Sequence, residues 1–276
     1  MIIYFKTFLR LSIYLSWVKN PDRFDVLRDG FQTLTIQQSG IYQFEVIGAG
    51  THRKRPGVRI IGNSQLEKGQ KITVALGQKG NTKCGAGGTF VVLAEDENPK
   101  PLFIAAGAGY AYDRNFAKGQ FTQEASGNEE VGSRGIQQFI SDDNHGNCGG
   151  AGFDLGPGEE LDAFETGDPC ESPCSYPQGL FGGLSYKHET GIDKMGGFGG
   201  GGACYTAETW GGERNVYFGA GGGYTGGGTQ LTRPGERYPN TTVCVGGGGG
   251  SFTIDPEAKF DHVYTEYGKC KIQLIS

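Results

Sequence analysis

No apolar run in this chain is long enough to cross a bilayer. The amino-terminal stretch from Met1 to Trp17 is interrupted by Lys6 and Arg10, so nothing reaches the ~18 residues a spanning helix needs. Histidine is scarce, with four in 276 residues (His52, His145, His188, His262), which leaves little material for general-base chemistry. Neither G-x-S-x-G nor H-E-x-x-H occurs, and with them go the usual serine-hydrolase and zinc-protease readings. Charge of one sign is not in surplus: 25 Lys and Arg stand against 30 Asp and Glu, a net of -5. That balance offers no cationic footprint for nucleic acid or anionic membrane, and it directs any charged partner towards the basic side. Helical periodicity is missing between the strand-like segments, which argues against an α/β parallel sheet.

Glycine is what the chain has in excess, 51 of 276 residues, roughly two and a half times the ~7% of ordinary proteins. Hydrophobic residues at 36% and aromatics at 12% still supply a core, so wholesale disorder is not expected. From Gly30 to Ala106 the pattern is short strands: Phe31 to Ile36, then Ile41 to Ile47 with Tyr42, Phe44 and Val46 on one face. Val58 to Ile61 and Lys71 to Leu76 follow, and Thr89 to Leu93 with Leu102 to Ala105 read as a hairpin. Alternation with turn residues between the runs predicts antiparallel β structure.

Between Gly107 and Gly250 lie 38 of the 51 glycines. Flexible linkers are usually Gly/Ser mixtures, whereas these runs are interleaved with Phe198, Tyr205, Trp210, Tyr217, Phe218 and Tyr224. Glycine loses more chain entropy on ordering than any other residue, so such runs need a reason. The reading favoured here is polyproline II-type helices packed side by side, in which only a residue without Cβ lets backbones approach closely. Strand chemistry returns at Ser251 to Ile254 and Tyr267 to Ile275. Terminal strands that close a sandwich around an inserted middle make one composite domain over residues 30–276, with the sandwich at 30–106 and 251–276 and the insertion at 107–250. Residues 1–29 read as a weak secretory signal or a segment outside the fold, since no A-x-A-like site follows Trp17.

Seven cysteines (Cys84, Cys148, Cys170, Cys174, Cys204, Cys244, Cys270) show no paired metal-ligand spacing, which fits disulfides in an oxidising compartment better than zinc. His145, Cys148, Cys170 and Cys174 match no standard zinc module, and no metal or cofactor is expected. Asn240-Thr241-Thr242 is a glycosylation sequon in a polar, Pro-flanked stretch. Val46-Ile47-Gly48-Ala49-Gly50 has the opening of a dinucleotide fingerprint, but Arg53 stands at the third glycine and Pro56-Gly57 replace the helix. Gly80 to Gly85 has Walker spacing without the Lys-Ser/Thr that follows it. The carboxylate pairs Glu129-Glu130, Asp142-Asp143 and Glu159-Glu160 sit in polar loop sequence, where solvation explains them. What remains is a binding surface with acidic loops.

Three segments are specific in combination: Leu102-Phe103-Ile104-Ala105-Ala106-Gly107, Gly196-Gly197-Phe198-Gly199-Gly200-Gly201-Gly202-Ala203-Cys204 and Gly221-Gly222-Gly223-Tyr224-Thr225-Gly226-Gly227. With Gly69 to Gly80 and Tyr42 to Gly50 before them, the chain from Gly30 to Ser276 resembles the glycine-rich extracellular domain of the anaplastic lymphoma kinase and leukocyte tyrosine kinase receptors. The resemblance implies a tumour-necrosis-factor-like β sandwich carrying a bundle of glycine helices, all-β and non-catalytic. It implies an extracellular place and a small basic secreted protein ligand that dimerises the receptor. It also implies that Cys204 pairs with Cys170 or Cys174, and that ligand contacts are acidic, with Glu236, Asp255 and Glu257 as the candidates. Unlike those receptors, residues 1–276 hold neither a kinase nor an epidermal-growth-factor-like segment. The expectation is therefore a receptor fragment, a secreted decoy or a relative using the scaffold otherwise. The alternative from another class is a secreted structural or adhesive glycine-rich protein without a soluble ligand.

Overall fold

The structure is a computed structural model that describes residues 12–16, 31–51, 55–94, 99–127, 148–154, 170–171, 173–185, 194–208, 214–232 and 241–276. Two five-stranded antiparallel sheets carry most of the strands. The first has the order β1-β17-β3-β4-β16 and the second β15-β7-β6-β5-β2. Their strands are β1 (Ser12–Ser16), β2 (Phe31–Thr35), β3 (Gly40–Ile47), β4 (Gly57–Leu66), β5 (Lys71–Ala75), β6 (Thr89–Leu93), β7 (Lys100–Ala105), β15 (Phe252–Thr253), β16 (Lys259–Val263) and β17 (Lys269–Leu274). Side chains alternate across a pleat. In β3 this sends Tyr42, Phe44 and Val46 inward, and β17 adds Cys270 and Ile272. They meet Ile72, Val74, Val91, Leu93 and Phe103 of the facing sheet in one core, where the Phe44 and Phe103 rings stack at 4.9 Å. The β6–β7 ladder shifts register between Val91 and Val92, and Val92 is left opposite Pro101. Proline has no amide to give a ladder and is tolerated at such a bulge.

Every residue of β6 is buried, because the second sheet is covered on both faces. Val91 and Leu93 enter the core between the sheets. Phe90 and Val92, with Ala75 and Ile104, pack instead against Phe153, Leu180 and Phe198 of the glycine-rich part. Tyr224 stacks on Phe252 at 4.7 Å and on Phe153 at 6.0 Å, and Phe153 stacks on Tyr176 at 5.0 Å. The aromatics interleaved with glycine are thus the adhesive between layers. Phe198, Tyr217 and Phe218 are buried and Tyr224 is half-buried, while Trp210 lies outside the described residues.

Around these rings the glycine segments run mostly buried and outside the strands: 48–50, 76–80, 84–88, 106–109, 148–152, 196–204, 218–228 and 247–250. Their amides bond mostly between segments, as Gly85 to the Gly202 carbonyl (2.9 Å), Gly202 to Ala220 (2.8 Å), Gly221 to Gly247 (2.8 Å) and Gly107 to Gly222 (2.8 Å). A Cβ on Gly48 would lie 2.6 Å from the Ala105 carbonyl oxygen and closer still to that of Ala106. The fingerprint-like glycines at 48–50 and 80–85 therefore serve packing against backbone. The segments that follow β3 and β5 and precede β6 bond into the same layer.

Smaller sheets fill the middle of the chain. β8 (Cys170–Glu171), β9 (Leu184–Ser185) and β10 (Lys194–Met195) form one. β11 (Tyr205–Glu208), β12 (Arg214–Tyr217), β13 (Thr229–Thr232) and β14 (Thr241–Gly246) form another, in which β12 and β14 are parallel. A one-turn helix α1 (Arg114–Ala117) begins where the Asp113 carboxylate accepts from the Asn115 amide. Ser12–Ser16 is the outermost strand of the first sheet, paired to β17. Among the described residues no helix is long and apolar enough to cross a membrane.

Candidate binding flank

β16 and β15 end the two sheets on the same flank, and the segment Phe121–Glu124 runs alongside them. The Ser251 amide donates to the Thr122 carbonyl (2.7 Å), which seats that segment beside β15. Between them opens a groove of about 470 Å3 lined by Phe121, Thr122, Gln123, Glu124, Ser251, Thr253 and Phe260. Phe121 is 41% exposed, with its ring 5.7 Å from Phe260 and stacked on His262 at 4.3 Å. The His262 ring nitrogen Nε2 lies 2.9 Å from the Gly119 carbonyl. A carbonyl only accepts, so Nε2 carries the proton of that bond and ties the segment to β16.

Of the three expected acidic residues, Asp255 and Glu257 can be placed. Asp255 lies in the β15–β16 turn, where its Oδ2 accepts from the Asn63 amide (2.7 Å) and its Oδ1 from the Glu257 amide (2.9 Å). Both oxygens are engaged in bracing the turn against β4, so Asp255 has a structural task whatever else it does. Glu257 is exposed two residues on. Glu236 lies outside the described residues, as do Asn240 and the carboxylate pairs at 129–130, 142–143 and 159–160. On the outer face of the first sheet the charges form a row across β3, β4 and β16. Arg59 pairs with Asp261 (2.9 Å) and approaches Glu45 (3.7 Å), which neutralises part of that face. Glu124, Phe121 and Phe260 carry no periodic signal in the sequence, because the groove joins segments more than a hundred residues apart.

Cys204 forms a disulfide with Cys84, with 4.8 Å between their Cα atoms. It does not pair with Cys170 or Cys174. The reason is the glycine packing: Gly85 bonds to Gly202, which places the two neighbouring cysteines side by side. A disulfide fits an oxidising compartment. Burial pushes the Cys270 thiol well up from its usual range, with the Glu45 charge adding to it. The Cys244 thiol is raised by burial against an opposing hydrogen bond with Thr229. Among the described residues no group of three His, Cys, Asp or Glu is placed to hold a metal. No protein-family profile matches the chain, and no curated protein matches it in sequence.

Proposed function

We propose that this chain is a non-catalytic extracellular module that binds a small basic protein ligand, as the glycine-rich ectodomain of the anaplastic lymphoma kinase and leukocyte tyrosine kinase receptors does. The observation that carries the reading is the flank groove, where Phe121 and Phe260 offer apolar contact beside the Glu124 carboxylate, with Glu257 on the adjoining turn. Aromatic anchors beside unlike charge are what a binding hot spot is made of, and the acidic rim would steer a cationic partner. The glycine segments supply the stiffness such a site needs. In this reading they are polyproline II-type helices, supported by two observations. Among the described glycines only Gly69, Gly127, Gly179, Gly199 and Gly200 have positive φ, and the lateral hydrogen bonds leave no room for side chains. The sandwich beneath is read as tumour-necrosis-factor-like.

A titration of the full chain with basic secreted proteins tests the proposal. Saturable binding that weakens steeply from low to high salt is expected, because exposed charge pairs are screened within ~10 Å at 0.1 M. Absence of saturable binding at low salt would reject it. Glu124→Lys combined with Glu257→Lys is expected to slow association at least tenfold without altering the thermal midpoint.

A further inference from the structure

Two cysteines outside the Cys84–Cys204 bridge share one corner of the glycine layer. Cys148 and Cys244 are fully buried, carry thiols in the structure and form a contact cluster with Tyr217. Cys244 lies on β14, opposite Tyr217 of β12 and Leu231 of β13, and residues opposite one another in a ladder turn their side chains to the same face. The segments that hold the two cysteines flank one strip of chain. The Phe218 amide donates to the Cys244 carbonyl (2.8 Å) and the Ala220 amide to the Cys148 carbonyl (2.8 Å). A few residues on they meet adjacent partners again, where Gly150 donates to the Gly227 carbonyl (2.9 Å) and Gly247 to that of Gly228 (2.8 Å). Other described thiols stand apart: Cys270 is in the core between the sheets, and Cys174 is half-buried where its amide donates to the Phe181 carbonyl (2.8 Å).

We propose that Cys148 and Cys244 are the halves of a second disulfide, which closes when the folding chain meets a small-molecule or protein disulfide as oxidant and pins the 148–152 segment to β14. The exchange balances. One cysteine thiolate attacks the oxidant's disulfide and expels a thiol, and the second attacks the resulting mixed disulfide and expels the other. The two protein thiols give up two electrons and two protons, and the oxidant leaves as two thiols. A disulfide spans only about 4 Å between Cβ atoms, so a pair that already shares a contact cluster closes with the least displacement of backbone. The Cys84–Cys204 bridge calls for the same oxidising surroundings. Burial sets the order of events. A thiol sealed from solvent is beyond the reach of an oxidant, so the bond forms before the cluster closes and is shielded from reductants afterwards. Titration of the Cys244 thiol belongs to the dithiol form alone.

The unsubstituted full chain, folded in a mixture of reduced and oxidised glutathione, supplies the test. Its remaining thiols are alkylated in denaturant, and the chain is digested without reduction and mapped by mass. A peptide pair joining Cys148 to Cys244, found in the same molecules as the Cys84–Cys204 link, is the expected result. Alkyl groups on both Cys148 and Cys244 in chains that carry the Cys84–Cys204 link overturn the proposal, since the pair would then be packing thiols only. Linkage of either one to Cys170, Cys174 or Cys270 overturns it as well. Cys148→Ala gives a second reading that keeps the small apolar volume of the site: in denaturant Cys244 is expected to take up the alkyl group that it refuses in the parent chain. Equal alkylation of Cys244 in parent and variant would again overturn the pairing.

Discussion

Adding one methyl group to a glycine asks different questions at Gly85 and Gly69. At Gly85 the new Cβ would fall 2.5 Å from the Ala220 carbonyl carbon and 3.0 Å from the Gly202 amide, and backbone held by lateral hydrogen bonds cannot give way. At Gly69 nothing lies within 4 Å, and the objection is the left-handed φ of 93°. Gly69→Ala is expected to cost about 1–2 kcal/mol, the penalty of that conformation for an L residue. Gly85→Ala is expected to cost about 3 kcal/mol as an overpacked interior site. Urea midpoints of the two variants check the ranking, and equal losses would mean that the lateral contacts bear no load. Asp255→Ala removes two charge-assisted bonds to amides and is expected to cost about 1.5–3 kcal/mol, whereas Glu257→Ala stays within about 0.5 kcal/mol. The same measurement on both would show which of the two acidic residues is structural.

Elements were legible in proportion to how far one face of each meets water. β3 and β17 alternate cleanly because they do, and their bounds agree with the sequence reading to within a residue or two. β4 extends five residues beyond the Val58–Ile61 segment, since Gly62, Asn63 and Ser64 look like a turn yet continue the ladder opposite β3. β16, with the sequence Lys-Phe-Asp-His-Val, was not foreseen. Its charges suit an edge strand, and Pro256 precedes it. The flank groove and the Cys84–Cys204 bridge were beyond reach for the same reason, both arising from contacts between segments distant in sequence. Buried titratable groups in the strands and their covering layer also predict an alkaline weakness. Burial raises the Cys270 thiol, and pushes the Tyr176 phenol up to about 12 against a hydrogen bond with Thr73. Above the ordinary thiol and phenol ranges the unfolded chain sheds these protons while the folded chain keeps them. The folded state then binds more protons, and stability falls as pH rises. Denaturant midpoints should hold steady up to about pH 8 and decline through pH 9 to 11, starting from the unperturbed thiol value near 8.5. Cys270→Ala should reduce the earlier part of that decline, with the raised Cys244 thiol supplying the remainder.

At the scale of the molecule, the Cys84–Cys204 bridge closes a loop of sequence separation 120 and joins two segments of the glycine layer, 84–88 and 196–204. Loop-entropy estimates put such a bridge at about 3–5 kcal/mol. Replacing both cysteines by serine should lower the denaturant midpoint accordingly, and a change below about 1 kcal/mol would mean that the glycine contacts alone fix the two segments. β6 carries one more consequence. With each of its faces spoken for, the chain has no detachable half: a splice form or protease product without the glycine-rich stretch would bare Phe90, Val92 and Ile104 as one wet wall. What would emerge is not a smaller binding domain but a precipitate.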